Sequence, residues 1–232
     1  MIPGLSGSLL SHDAVGGAID ATSQSSAADA HRRVHAWHAA VAAELGPASS
    51  ARAVYDRIAA PLGAALGFSV VPAHGPADAG GSLRAVLEAR GSAVAGLLAT
   101  AWGRDPAAAW REGVRHGIGT GVRWCFCVTG PVLRVFDARR TYSRRFAEFD
   151  LEIAIGEPAG FTVLWRLLNA DGFTQPEPAL DRAVSLSEQY RADVRACLQQ
   201  GVHDALTSLL RAFASAPRAR RTRRTRGCRG RT

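Results

Sequence analysis

Lysine is absent from this chain of 232 residues: all 28 basic residues are arginine. That absence excludes whole chemistries. A P-loop needs a lysine on the nucleotide phosphates and a Schiff-base enzyme needs the amine itself, whereas arginine stays protonated and supplies neither. Long hydrophobic runs are missing too. Although 47% of residues are hydrophobic, Arg or Asp interrupts each long run before the roughly 18 residues of a membrane span. The opening MIPGLSGSLL lacks a positively charged leader, which argues against a signal peptide. Cys125, Cys127, Cys197 and Cys228 give one C-x-C pair and two lone thiols, neither a disulfide framework nor a four-ligand zinc pattern. Together these absences point to a reduced, cytoplasmic protein with no membrane partner.

Acidic residues are absent from 217–232, a stretch that holds eight arginines, so the rest of the chain carries 20 arginines against all 20 acids. The net charge of +8 therefore belongs to the tail, and the body is neutral.

Periodicity organises that body. Residues 1–27, rich in Gly, Ser and Ala, predict a mobile or loosely helical extension. Val34, Trp37, Val41 and Leu45 predict a helix stopped by Gly46-Pro47, and Val54, Ile58 and Leu62 a second one, kinked or restarted at Pro61. The Pro- and Gly-rich stretch from Pro72 to Gly81 reads as a boundary closing a helical segment over 28–80. Beyond it the period shortens. Ser82–Arg90 and Val94–Trp102 read as strands joined at Gly91-Ser92, and Asp105-Pro106 opens a helix whose inner stripe is Trp110, Val114 and Ile118. Gly117, Gly119 and Gly121 end that helix, and Arg123–Thr129 and Val132–Asp137 read as two further strands. Phe161, Trp165 and Leu168 mark a short helix, and a long one opens at Asp181 and runs to Phe213 with one wet face. The expected class is α/β (α+β), with the α/β layer over 81–157, a helical element over 160–214 and a disordered tail over 215–232.

Several groups could carry chemistry. His31, His35 and His38 fall on one face of a helix, where an i, i+4 pair is a metal candidate or, without a completing acid, a polar flank to Trp37. Gly117-Ile-Gly-Thr-Gly121 looks like a phosphate loop, but it closes a helix where a dinucleotide loop opens one, so a helix cap is the better reading. Cys125 and Cys127 alternate with Trp124 and Phe126, and read as small apolar side chains on one side of a strand.

The run LLATAWGRDPAAAWREGVRHGIGTGVRWCFCVTGPVLRVFDARRTYSRRFAEFDLEIA resembles the amino-terminal region of type IIG-like restriction-modification enzymes, which join a nuclease-like module to an N6-adenine DNA methyltransferase. The resemblance rests on Trp102-Gly103, the Trp110 helix, the Val128-Thr129-Gly130 turn, the Leu133–Asp137 strand and Phe146–Leu151, and it spans roughly residues 30–213. It implies a restriction-nuclease-like layer followed by a helical connector, SEQYRADVRACLQQGVHDALTSLLRAF, that leads to the methyltransferase. A nuclease of that kind holds Mg²⁺ with acids on two adjacent strands and a lysine two residues past the last acid. The strand before the helix, Leu97–Trp102, has neither. The nearest substitutes are Glu88 and Arg90, one strand earlier. The methyltransferase's Asn/Asp-Pro-Pro-Tyr/Phe loop is missing too, since there is no Pro-Pro dipeptide and the single asparagine is Asn169. S-adenosylmethionine and Mg²⁺ are thus expected of a full-length relative and no cofactor of this chain, which reads as the amino-terminal piece of such an enzyme, catalytically inactive alone.

DNA contact is the function expected to survive. Arg139, Arg140, Arg144 and Arg145 cluster beside Tyr142 and Phe146 as a phosphate-contacting edge, with Glu148, Asp150 and Glu152 close enough in sequence to neutralise it. Residues 31–214 are expected to bind duplex DNA weakly, less so as salt rises. The tail reads either as a nonspecific nucleic-acid-binding arm or, preferably, as an out-of-frame ending of a GC-rich gene. The alternative function is a helical and α/β protein-interaction scaffold that uses the apolar face of 190–213 and the basic tail.

Overall fold

A computed structural model describes residues 1–19, 24–73 and 81–215. Most of the expected boundary loop and the Arg-rich tail with Cys228 lie outside the described residues. Two compact units divide the chain, 1–190 and 191–232.

The first unit is built on a mixed sheet in which the strands lie in the order β1-β7-β6-β5-β4-β3-β2. These strands are β1 (Leu5–Gly7), β2 (Ser69–Pro72), β3 (Leu83–Ala89), β4 (Ser92–Ala99), β5 (Trp124–Val128), β6 (Val132–Asp137) and β7 (Phe146–Asp150). Neighbours are antiparallel except β4 and β5, which run parallel from Ala95 opposite Trp124 to Ala99 opposite Val128. A parallel pair needs a crossover, and helix α5 (Pro106–Thr120) supplies it. The chain is mixed α/β, as expected. Ala89 faces Ser92 across a two-residue hairpin loop, Arg90-Gly91, with φ of 51° and 77°, the primed geometry that matches strand twist.

Helix α5 follows its sequence signals closely at both ends. Asp105 accepts a bond from the Ala107 amide at 2.8 Å with Pro106 in the first turn. At the far end Gly121 takes φ 73°, its amide bonds Ile118 O, and the Val122 amide reaches back to Gly117 O at 3.0 Å, a Schellman cap. The glycine run is thus a helix terminus. The helix is rolled differently from its apolar stripe, however: Ile118 is 60% exposed, and Ala109, Gly113, Val114, His116 and Gly117 face inward. The reason is close approach. A Cβ on Gly113 would lie 2.3 Å from Phe136 Cζ, and one on Gly117 2.5 Å from Ala138 Cβ, so the glycines mark the contact line.

On this face α5 covers a small cluster of Leu98, Ala109, Val114, Cys125, Cys127, Phe136 and Ala138. The opposite face is much more heavily covered. There α2 (Gln24–Ala42), α4 (Ala60–Ala65), α6 (Leu151–Gly156), α7 (Pro158–Leu168), α8 (Ala170–Phe173) and the first turns of α9 (Ala179–Ser215) bury Leu97, Phe126, Leu133, Phe149, Leu151 and Phe161. Pro61 behaves as expected, without ending the helix. Helix α3 (Ala51–Val54) passes through a π turn, Tyr55–Ala59, into α4, and the Ala60 amide reaches Tyr55 O five residues back.

A mobile or loosely helical extension is expected over 1–27; its described residues do hold helix, but the mobile reading is corrected by an edge strand and core contacts. β1 pairs with β7, Leu5 opposite Phe149, and Leu5, Leu9, Leu10, Val15 and Ala18 are buried in the main cluster, with α1 (His12–Ala18) capped by Ser11. A piece starting at residue 31 would therefore lose an edge strand and part of the core. The expected helical segment 28–80 also contributes β2 to the sheet, and 28–80, 81–157 and the start of 160–214 share one core. Among the described residues no helix is long and apolar enough to cross a membrane.

Candidate nucleic-acid interface

The strand ahead of the crossover helix is where a nuclease centre was expected to show acids. β4 carries none. Leu97 and Leu98 point to opposite faces, both buried, and Thr100 is buried beyond them. Glu88 sits on β3 at a register irregularity opposite Ala93 and Ser69, with no carboxylate beside it on either strand. Arg90 is a turn residue whose side chain is 72% exposed and lies 3.9 Å from Asp171. These residues do not fit a Mg²⁺ centre, and among the described residues no group of three or more His, Cys, Asp or Glu side chains is placed to hold a metal ion.

The three histidines of α2 are not brought together as ligands. His31 Nε2 lies 2.7 Å from Ile155 O and its ring 4.8 Å from Phe161, so it fastens α2 to α6 and α7. His35 and His38 instead line a cleft of about 440 Å³ with Ile58, Trp102, Pro131 and Glu152. Burial pushes His38 below its ordinary value, with Glu152 opposing the shift. Cys125 and Cys127 are interior packing groups. Cys125 Sγ bonds Gly113 O at 3.0 Å, and burial pushes both thiols up to about 12, which leaves no thiolate nucleophile at neutral pH.

The arginine cluster divides in two. Arg140 makes a forked pair with Glu188 on α9, its Nη2 3.2 Å from Oε2, and its Nε lies 3.6 Å from Asp137. Arg145 lies 3.9 Å from the same Glu188. Both lie half-exposed at the edge of a polar joint that also holds Arg123, whose guanidinium bonds Asp137 and Asp181 at 2.9 Å each, and Trp124, whose indole N–H donates to Asp181 at 2.9 Å. This joint fastens the first turns of α9 to β5 and β6, and no local pattern announces it because its partners lie up to 58 residues apart. Arg139 and Arg144 remain exposed.

The exposed pair is arranged around α5. Arg144 lies over the Trp110 ring, 5.5 Å from its centroid, a cation–π contact. Arg139 follows Ala138, which touches the helix at Gly117. Arg111 and Arg115 are exposed on the helix itself. Two acids lie on or beside the helix: Glu112, whose Oε2 accepts from Ser82 Oγ at 2.8 Å, and Asp105, which caps its first turn. The sequence cluster pointed to Arg139 and Arg144 but missed Arg111 and Arg115, which the i, i+4 spacing on the wet side of α5 would have revealed.

The class that fold and site define is a mixed α/β domain with a basic, glycine-seated crossover helix. Comparisons with protein-family models, with curated proteins and with solved structures find no match for the chain.

Proposed function

We propose that this chain is a DNA-associated module of the restriction-modification type, nuclease-like in layout and silent as a nuclease. The observation that carries the reading is the parallel β4–β5 pair with α5 crossing between them, where the strand before the helix carries no charged residue and one side of the helix and the loop beside it expose Arg111, Arg115, Arg139 and Arg144. The first half supports a nuclease-like layer without a metal centre. The second supports phosphate contact, because guanidinium groups spaced along a helix neutralise a duplex backbone without reading its sequence. In this reading the phosphate contacts are assigned to Arg111, Arg115, Arg139 and Arg144, while Arg140 and Arg145 belong to the Glu188 joint.

Covalently closed plasmid incubated with the full chain and Mg²⁺ tests both halves in one experiment. The expected result is retarded migration at low salt with every plasmid molecule still closed after protein is removed. Nicked or linear product would overturn the silent nuclease, and unretarded plasmid would overturn the DNA association.

A further inference from the structure

The part of α9 that lies in the second unit, residues 191–215, carries an apolar stripe. Large side chains recur at Leu198, Val202, Leu206, Leu209 and Phe213, steps of four, four, three and four that keep them on one side of a helix. They are 65%, 59%, 54%, 54% and 76% exposed, and Leu210 at 69% and Val194 at 41% flank them. Asp193, Gln200, Asp204, Thr207 and Arg211 take the opposite side.

We propose that this helix pairs antiparallel with the same helix of a second copy of the chain. Area argues for the partner. Removing about 100 Å² of apolar surface per side chain of this size, seven such residues bury roughly 700 Å², close to the ~800 Å² per partner of a stable protein interface. The stripe also exceeds the largest apolar patch that monomers usually leave in water.

Charge argues for the orientation. Arg195 is exposed and lies two turns before Val202, on the apolar stripe itself. A parallel pair in register would set Arg195 against its own copy. An antiparallel pair centred on Val202 sets Arg195 level with Leu209, Leu198 level with Leu206 and Val194 level with Leu210, and it opposes the helix dipoles.

Light scattering on the full chain at tens of micromolar tests the pairing. The expected mass is twice 24.5 kDa, falling to one chain in L206E/L209E. Neither residue belongs to the core of the first unit, so that variant keeps its thermal unfolding of the body. A single-chain mass for the unmodified protein, or a dimer that survives L206E/L209E, overturns the proposal. Oxidation in a background with Cys197 and Cys228 changed to Ser reads the orientation: V202C is expected to cross-link and R195C to stay uncoupled, and cross-linking through R195C overturns the antiparallel arrangement.

Discussion

One face of the sheet lies beneath α2, α4, α6, α7, α8 and the root of α9, while the other is covered by α5 over β4, β5 and β6. The first face is sealed with large side chains, Phe126 packing edge-on to Phe68 and Phe173 at 6.2 and 6.0 Å between ring centroids. The second is seated on glycine. Its flanks carry charge: Arg134 from β6 pairs with Glu148 of β7 at 2.6 Å and stacks on Phe146 at 3.8 Å, and Arg84 and Glu88 alternate with the inward residues of β3. The heavily covered face holds the fold, and the thinly covered face leaves a helix with two exposed arginines in contact with solvent, which is where the proposed function puts DNA.

Neighbouring residues on β4 put a number on that contrast. Leu97 and Leu98 are equally buried and chemically identical, but they enter opposite layers. Truncating a buried leucine costs about 2–5 kcal/mol, and the amount depends on how well the surroundings collapse. Leu97→Ala is expected near about 4 kcal/mol and Leu98→Ala near about 2 kcal/mol, because one helix settles into a gap more readily than an interlocked layer. Urea unfolding of both variants measures it, and equal losses would break the comparison.

A smaller effect of defined sign comes from Gly113. Alanine in an open helix position gains about 1 kcal/mol over glycine. Here its methyl would meet the Phe136 ring at 2.3 Å, so Gly113→Ala is expected to destabilise by about 1–3 kcal/mol. A stabilised variant would mean that α5 is not seated on its glycines.

The smallest effect is pH-dependent. His116 is 6% exposed and its Nε2 lies 2.7 Å from Ala85 O. Burial holds the ring below its ordinary value, reinforced by Arg84 and opposed by the Ala85 carbonyl and Glu112. The unfolded chain therefore takes up a proton first as pH falls. The stabilisation is present above the ordinary histidine value of about 6.5 and is lost as pH drops below it through the folded value. Denaturation midpoints at pH 7.5 and pH 5.5 are expected to differ less in His116→Gln than in the unmodified protein, and an identical difference would remove His116 from the thin layer's energetics.

What was legible in the sequence follows the range of the interactions. Asp105-Pro106 and Gly121 cap α5 through contacts a few residues long, and β4, β5 and β6 announce themselves as apolar runs. β1 is invisible locally, since Leu-Ser-Gly becomes a strand only because β7 offers it an edge. The roll of α5 escapes its own apolar stripe because Phe136 and Ala138, on another element, decide which residues approach the sheet. The arginine cluster is legible as a run of four guanidinium groups but its division is not, because Glu188, 48 residues from Arg140, pairs with Arg140 and lies beside Arg145.

Salt dependence of duplex binding by the full chain tests the central claim most directly, with two variants separating the body from the tail. Each lost phosphate contact lowers the slope of log affinity against log salt by about 0.9. Arg111, Arg139 and Arg144 changed together to Gln are expected to reduce the slope by about 2–3 and weaken binding at low salt, even in a chain whose tail arginines are all Gln. An unchanged slope in the triple variant, with binding abolished by the tail substitutions alone, would contradict the account and assign DNA contact to the tail.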